Sequence, residues 1–355
     1  MSRYWSDLAK GLNPYVPGEQ PRHTQLVKLN TNESPYPPSP RVLAAIRSVD
    51  GDKLRLYPDP GSGELAQVVA RANGLQSDQV FLGNGSDEVL AHAFQGLLKH
   101  DLPILYPDIS YSFYPVWCDL YQIEATPVAL APDFTVSVAD YHQPNGGVII
   151  PNPNAPTGIA LSLEEIRSLL QTNTDSVVII DEAYIDFGGQ SACALINEYE
   201  NLLVVQTLSK SRAMAGMRVG VAMGQAELIE GLSRVKDSFN SYPLDVLAQT
   251  AAVAAYEDED YFKECTAKVV ASRERLAREL MQRGFSVLPS SANFLFVTHS
   301  AHSAQTLFTG LREEGVIVRY FDKPRINEYL RISIGTDAQC DRLLEVLDQL
   351  LTVSG

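Results

Sequence analysis

Six short apolar runs, too short to be helices, are spaced through the first two-thirds of the chain and decide what it can fold into. They are QVFL (79–82), PILY (103–106), GVII (147–150), VVII (177–180), LLVV (202–205) and RVGVAM (218–223). Most are apolar on both faces, as a strand covered on both sides has to be. The stretches between them have helical spacing. One, LSLEEIRSLLQ, opens on a capping box of Ser162 with Glu165. Strands alternating with helices predict an α/β fold whose central sheet is mostly parallel.

The pattern changes on either side. Up to about residue 60 the chain reads LNPYVPG, LNTNESPYPPSP and LYPDPGSG, and so many prolines exclude continuous helix or a central strand. This is an ordered arm that wraps another surface, with a second subunit as one candidate. From about residue 245 come long helical patterns, then the short strands SVLPS, ANFLFV, GVIVRY and YLRISIG, then a closing helix DAQCDRLLEVLDQLL. The expected division is an arm over residues 1–45, a large unit over 46–244 and a smaller α+β unit over 245–355.

A net charge of −15 disfavours nucleic acid or an anionic membrane as partner. No apolar run approaches the roughly 18–20 residues that span a bilayer. The opening MSRYWSDLAKGLNPYVPG has charges and prolines where an export signal needs an apolar core. Cys118, Cys193, Cys265 and Cys340 are scattered and form no CxxC pair, as free thiols in a reducing cytoplasm would be.

In an open parallel sheet, ligands bind beyond the carboxyl ends of the strands, so the residues that follow each run carry the chemistry. After QVFL stands Gly83-Asn84-Gly85-Ser86-Asp87-Glu88, then a helical stretch. This is either a structural turn or an anion site for a single phosphate; it fits neither a dinucleotide fingerprint nor a nucleotide P-loop. After GVII, the segment Pro151-Asn152-Pro153-Asn154-Ala155-Pro156-Thr157-Gly158 makes a rigid loop. It is a plain sharp turn or one that presents the amide of Asn154 or Asn152. After VVII comes Asp181-Glu182-Ala183-Tyr184. A strand-tip acid is costly unless paired, and a protonated pyridine nitrogen would satisfy it. Metal ligation by Asp181 and Glu182 competes poorly, because consecutive strand residues face opposite ways and no histidine lies near. After LLVV, Lys210 follows Ser209 in QTLSKS, and Arg218 lies close behind. A lysine just past a buried strand fits a desolvated amine able to form a Schiff base, whereas an isolated lysine is ordinarily a solvated surface residue. His299 and His302 have HxxH spacing but no acidic or cysteine partner, so no metal is expected. Arg212, close to Lys210, is either a phosphate contact or a surface residue, and the acidic run 257–260 reads as a solvated helix end or turn.

Taken together, NPNAPTG, DEAY, TLSK and GMRVG, in that order, resemble the class I/II aminotransferase family over essentially the whole chain. LNTNE near the start and LRISIGT near the end extend the likeness. The resemblance implies a fold-type I enzyme that uses pyridoxal 5'-phosphate and works as a homodimer. Lys210 would be the Schiff-base lysine and the proton shuttle, Asp181 the partner of the pyridinium nitrogen, and Tyr184 the donor to the phenolic O3'. Tyr111 would stack on the ring. Gly85, Ser86 and Asp87, with Ser209 and Arg218, would hold the phosphate, and Tyr57 would reach it from the neighbouring subunit. Arg331 would bind substrate, helped by Arg319, Tyr15 and Asn32. One position departs from the family: its commonest form has Asn directly before PTG, where this chain has Ala155, which leaves Asn154 as the candidate for an O3' contact.

Within the family the likeness is strongest to members that act on a phosphorylated amino alcohol with 2-oxoglutarate as acceptor. An aromatic amino acid aminotransferase and a threonine-phosphate decarboxylase-like enzyme share nearly all these cofactor residues and remain alternatives. A non-catalytic phosphate-binding module is the reading from outside the class, and it would need neither DEAY nor TLSK.

Overall fold

The computed structural model describes residues 2–16, 18–19 and 26–353. Seven strands form the large sheet: β1 (Val80–Asn84), β2 (Ile104–Pro107), β3 (Ala125–Val128), β4 (Gly147–Pro151), β5 (Val178–Asp181), β6 (Leu202–Thr207) and β7 (Val219–Gly224). Their spatial order is β1-β7-β6-β5-β4-β2-β3. β7 runs antiparallel to both its neighbours, and the other pairs are parallel. All six apolar runs become strands. β3 is the addition: its residues ATPV are half-exposed at the sheet edge, where a proline is tolerated.

Alternation along the strands gives the sheet two covered faces. Ile149, Ile179 and Leu203 pack with Val89 and Phe94 of helix Gly85–Gly96 and with Trp117 of helix Tyr114–Tyr121. Ile150, Ile180 and Val204 face the other way, against Ile166 and Leu169 of helix Leu163–Thr172. That helix opens on the Ser162–Glu165 capping box, with the Glu165 carboxylate accepting from the Ser162 N–H at 2.7 Å.

A second, antiparallel sheet holds β8 (Phe285–Val287), β9 (Phe294–His299), β10 (Arg319–Tyr320) and β11 (Leu330–Ser333), in the order β10-β11-β9-β8. Its core includes Val269 and Leu276 from helix Glu259–Gln282 and Leu343 and Leu347 from helix Asp337–Val353. The run GVIVRY splits: Arg319–Tyr320 joins this sheet, while Val316–Ile317 pairs in parallel with Val27–Lys28 of the arm. The arm is thus stitched to the C-terminal unit, and the Leu29 carbonyl accepts from the Ser333 N–H at 3.0 Å.

Helix Val246–Glu257, which the sequence grouped with the C-terminal unit, packs elsewhere. It buries Ala248, Ala251, Ala252 and Ala255 in the core under the large sheet, where alanines let helices Pro40–Arg47 and Gly63–Asn73 come close. The chain leaves that core at Asp258, inside the acidic run, where helix Glu259–Gln282 begins.

Candidate active site

A cavity of about 520 Å³ lies beyond the C-terminal ends of β4, β5 and β6, bounded by the arm and the second sheet. Tyr15, Asn32, Ser86, Asp87, Tyr111, Asp181, Tyr184, Ser209, Lys210, Arg218, Arg319 and Arg331 all line it.

Asp181, the last residue of β5, is 5% exposed. Its Oδ2 accepts from the Tyr114 hydroxyl at 2.8 Å, and its buried Oδ1 has no partner. Burial pushes its pKa up to about 6, against the pull of the Tyr114 hydrogen bond. Glu182 points away from the cavity, as strand alternation requires. It accepts from the Ser191 hydroxyl and the Ala192 N–H, both at 2.6 Å, and from the Gln206 amide at 2.8 Å. The two acids share no site.

Lys210 follows β6 and its Nζ donates to the Thr31 carbonyl at 3.0 Å. That ammonium stands 5.7 Å from the centre of the Tyr184 ring. The Tyr184 oxygen accepts from the Asn32 amide at 3.1 Å, which leaves its own proton to donate elsewhere. Asn32, at φ 56, is held in turn by the Ser333 hydroxyl, which donates to its Oδ1 at 2.7 Å. Left-handed backbone at a non-glycine residue is a strain that gathers at functional sites. Arg218, at φ 52, is a second case in this cavity.

Gly85, at φ 79, turns the chain from β1 into helix Gly85–Gly96, whose first N–H groups and dipole favour an anion. A Cβ at Gly220 of β7 would sit 2.3 Å from the Gly85 carbonyl carbon and 2.4 Å from the Ser86 nitrogen. The turn therefore lies directly on β7. Gly220→Ala is expected to cost about 1–3 kcal/mol, the usual price of overpacking against backbone, read as a shift in urea denaturation. Arg218 donates from Nη2 to Asp87 Oδ2 at 3.0 Å, and the Tyr111 hydroxyl donates to Asp87 Oδ1 at 2.8 Å. Ser209 lies 3.4 Å from Arg218 Nη1.

Arg319 and Arg331 face each other as register partners on β10 and β11. Arg331 is half-buried, and its desolvation lowers its pKa. One of its nitrogens donates to the Asn30 carbonyl at 2.9 Å, while Nε has no partner. Neither arginine has a carboxylate partner among the described residues. Like charges directly opposite on adjacent strands repel, so an anion placed between the two would relieve the pair.

Some candidates are placed differently. Both amide hydrogens of Asn154 are taken, by the Ile109 carbonyl and the Thr157 hydroxyl, each at 3.0 Å. Asn154 therefore cannot donate into the cavity and instead holds its loop, while Ala155 lines the cavity in its place. Gly85 shapes the turn without lining the cavity. Tyr57 is 83% exposed, stacked on Tyr242 and away from its own chain's cavity. Arg212 lies between the rings of Tyr256 and Phe262, and His299 packs on Phe285 and His302. Sequence reading missed Tyr114, the Thr31 carbonyl and a loop that brings Lys323 and Arg325 to the cavity.

The aminotransferase class I and II model matches residues 24–347, and the chain belongs to that family. It is 59% identical over 351 residues to histidinol-phosphate aminotransferase 1 of Hydrogenovibrio crunogenus, covering 99% of both chains. Histidinol-phosphate aminotransferase 2 of Dechloromonas aromatica is 58% identical over 354 residues, again with 99% of each chain covered. Among solved structures, the crystal structure of histidinol-phosphate aminotransferase from Sinorhizobium meliloti in complex with pyridoxal-5'-phosphate superimposes with a TM-score of 0.88. That match covers 100% of this chain and 99% of the other, at 25% identity.

Proposed function

We propose that the protein transfers an amino group between L-histidinol phosphate and 2-oxoglutarate, giving imidazole-acetol phosphate and glutamate, a step of histidine biosynthesis. The carrying observation is that one cavity holds the Lys210 amine, a buried carboxylate oxygen without a partner and two register-paired arginines with no carboxylate partner among the described residues. The likeness to histidinol-phosphate aminotransferases supports the choice of amine.

The residues fit pyridoxal 5'-phosphate as cofactor. The orphaned Asp181 Oδ1 is an acceptor suited to a protonated ring nitrogen, and the turn at Gly85 with Arg218 suits a phosphate. Ser86, Asp87 and Ser209 complete that phosphate site, Tyr111 covers the ring face, and Tyr184, steered by Asn32, donates to the phenolic oxygen. Pyridoxal phosphate, when bound, supplies an aldehyde carbon that takes up the amino group and a ring that draws electrons from the substrate. Lys210 Nζ would hold the cofactor at rest and, as a free amine, would carry the proton between the substrate α-carbon and the cofactor C4'. Arg331 and Arg319, with Tyr15 at hand, hold the phosphate of one substrate and a carboxylate of the other, because a planar guanidinium fork accepts either oxyanion.

The arm over residues 1–45 and the C-terminal unit supply the substrate contacts, and the large sheet unit supplies the cofactor contacts. Exposed Leu54, Leu56, Tyr57, Phe239 and Tyr242 offer apolar surface to a second copy of the chain. In that homodimer Tyr57 reaches the cofactor phosphate of the partner. Four buried free cysteines support a reducing cytoplasm as the location, and no helix of the described residues is long and apolar enough to cross a membrane.

Glutamate formation from 2-oxoglutarate, measured across a panel of amines, tests this reading. The expected kcat/KM for histidinol phosphate exceeds that for phenylalanine by at least about 100-fold, since a site built for a charged group is left unpaired by an analogue that lacks it. Strong turnover of phenylalanine with none of histidinol phosphate would sink it.

A further inference from the structure

Two tyrosines three residues apart each hold one acid of the site. Tyr111 donates to Asp87 at the phosphate end, and Tyr114 donates to Asp181 at 2.8 Å. Tyr114 is fully buried at the start of its helix. Phe94, Tyr106 and Trp117 pack around its ring, and Tyr111 meets it at a right angle with centroids 5.6 Å apart. A ring so enclosed has no other rotamer to visit, so its hydroxyl is fixed.

We propose that Tyr114 is a positioning residue, which keeps the Asp181 carboxylate ionised and turns its free oxygen toward the pyridine nitrogen of the cofactor. This rests on the reading that Asp181 is the partner of that nitrogen. The geometry supplies the reason. Oδ2 is committed to Tyr114, so the other oxygen, Oδ1, is the one left for the ligand. A phenol is also the right donor. It satisfies one carboxylate oxygen without adding positive charge, so the full negative charge stays available to the ring nitrogen. An arginine or lysine there would compete with the pyridinium for it. Burial works against ionisation of Asp181 and the Tyr114 hydrogen bond works for it. Without the hydroxyl, Oδ2 would be a second orphan in the core.

The test reads the ring nitrogen itself. Full-length protein is loaded with pyridoxal phosphate labelled with ¹⁵N in the ring, and the ¹⁵N chemical shift and the cofactor Kd are measured. The wild type should show a protonated nitrogen. Tyr114→Phe, which keeps the ring's packing, should move the shift toward neutral pyridine and weaken cofactor binding about tenfold, the loss of one charge-assisted hydrogen bond. In an Asp181→Asn background the same change should alter Kd by less than about twofold, because the two residues act through one contact. Should Tyr114→Phe fail to fold, 3,5-difluorotyrosine at position 114 is a stronger donor of nearly the same shape and should shift the signal the opposite way. An unchanged ¹⁵N shift in whichever variant folds, or equal weakening with and without Asp181, overturns the proposal and leaves Tyr114 as packing alone. A neutral nitrogen in the wild type that Asp181→Asn does not alter overturns the underlying reading of Asp181 instead.

Discussion

Replacing Lys210 with alanine is expected to lower turnover of histidinol phosphate by at least about 10⁴-fold, because a nucleophile and a proton shuttle disappear together. No neighbour can take over. The Thr31 carbonyl that holds the amine is not a base, and the Tyr184 hydroxyl is engaged by Asn32. Asp181 is committed to Tyr114 at one oxygen. Lys210→Arg separates charge from chemistry: guanidinium keeps the positive charge but does not deprotonate in proteins, so it should be as inactive as alanine. Stability should hardly move, within about 1 kcal/mol. The lysine's one hydrogen bond goes to a carbonyl beside the cavity, where water can replace it. Single-turnover kinetics alongside thermal melts check both halves. Either variant keeping more than about one per cent of wild-type turnover would remove Lys210 from its role.

The parts of this molecule that sequence made readable are those that local pattern determines. An apolar run covered on both faces announces itself, and so did the six strands that lead to the site. Edge strand β3 did not, because half-exposed ATPV carries neither alternation nor a continuous apolar run. Helix Val246–Glu257 was recognised as a helix but assigned to the wrong neighbours, since an alanine-rich face fits many surfaces. In the site, Asp181, Tyr184 and Lys210 were legible because each lies at the end of a strand or within three residues beyond it, where chemistry has to sit. What was illegible is pairing at long range. Lys210 finds Thr31 across 179 residues and Tyr114 finds Asp181 across 67. Tyr114 left a faint trace as the second tyrosine of DISYSFY, one helical turn after Tyr111, but nothing local told its hydroxyl's target. Asn154 failed for the same reason: whether an amide faces a ligand or its own loop depends on which carbonyl lies opposite, here that of Ile109.

Arg331→Met should produce two opposed effects, and their opposition is the test. The kcat/KM for histidinol phosphate should fall about 10³-fold, the consequence of leaving a bound oxyanion without its fork of donors. Arg331→Lys should recover only part of that, since a point charge replaces a planar pair of donors. Stability of the free protein should rise, by about 1 kcal/mol. Arg331 is a half-buried cation with no carboxylate partner among the described residues, facing the like-charged Arg319 across the ladder, with its buried Nε unpartnered. A methionine keeps apolar packing against Phe294 and Phe321 and removes a desolvated charge that repels Arg319. Inorganic phosphate supplies the discriminating arm. Millimolar phosphate should raise the melting temperature of the wild type, because an anion that binds only the folded state stabilises it. The gain should shrink markedly in Arg331→Met. A variant that lost activity and stability together would instead place Arg331 in the framework of β11, and the anion site would have to be sought around Arg319 and Lys323.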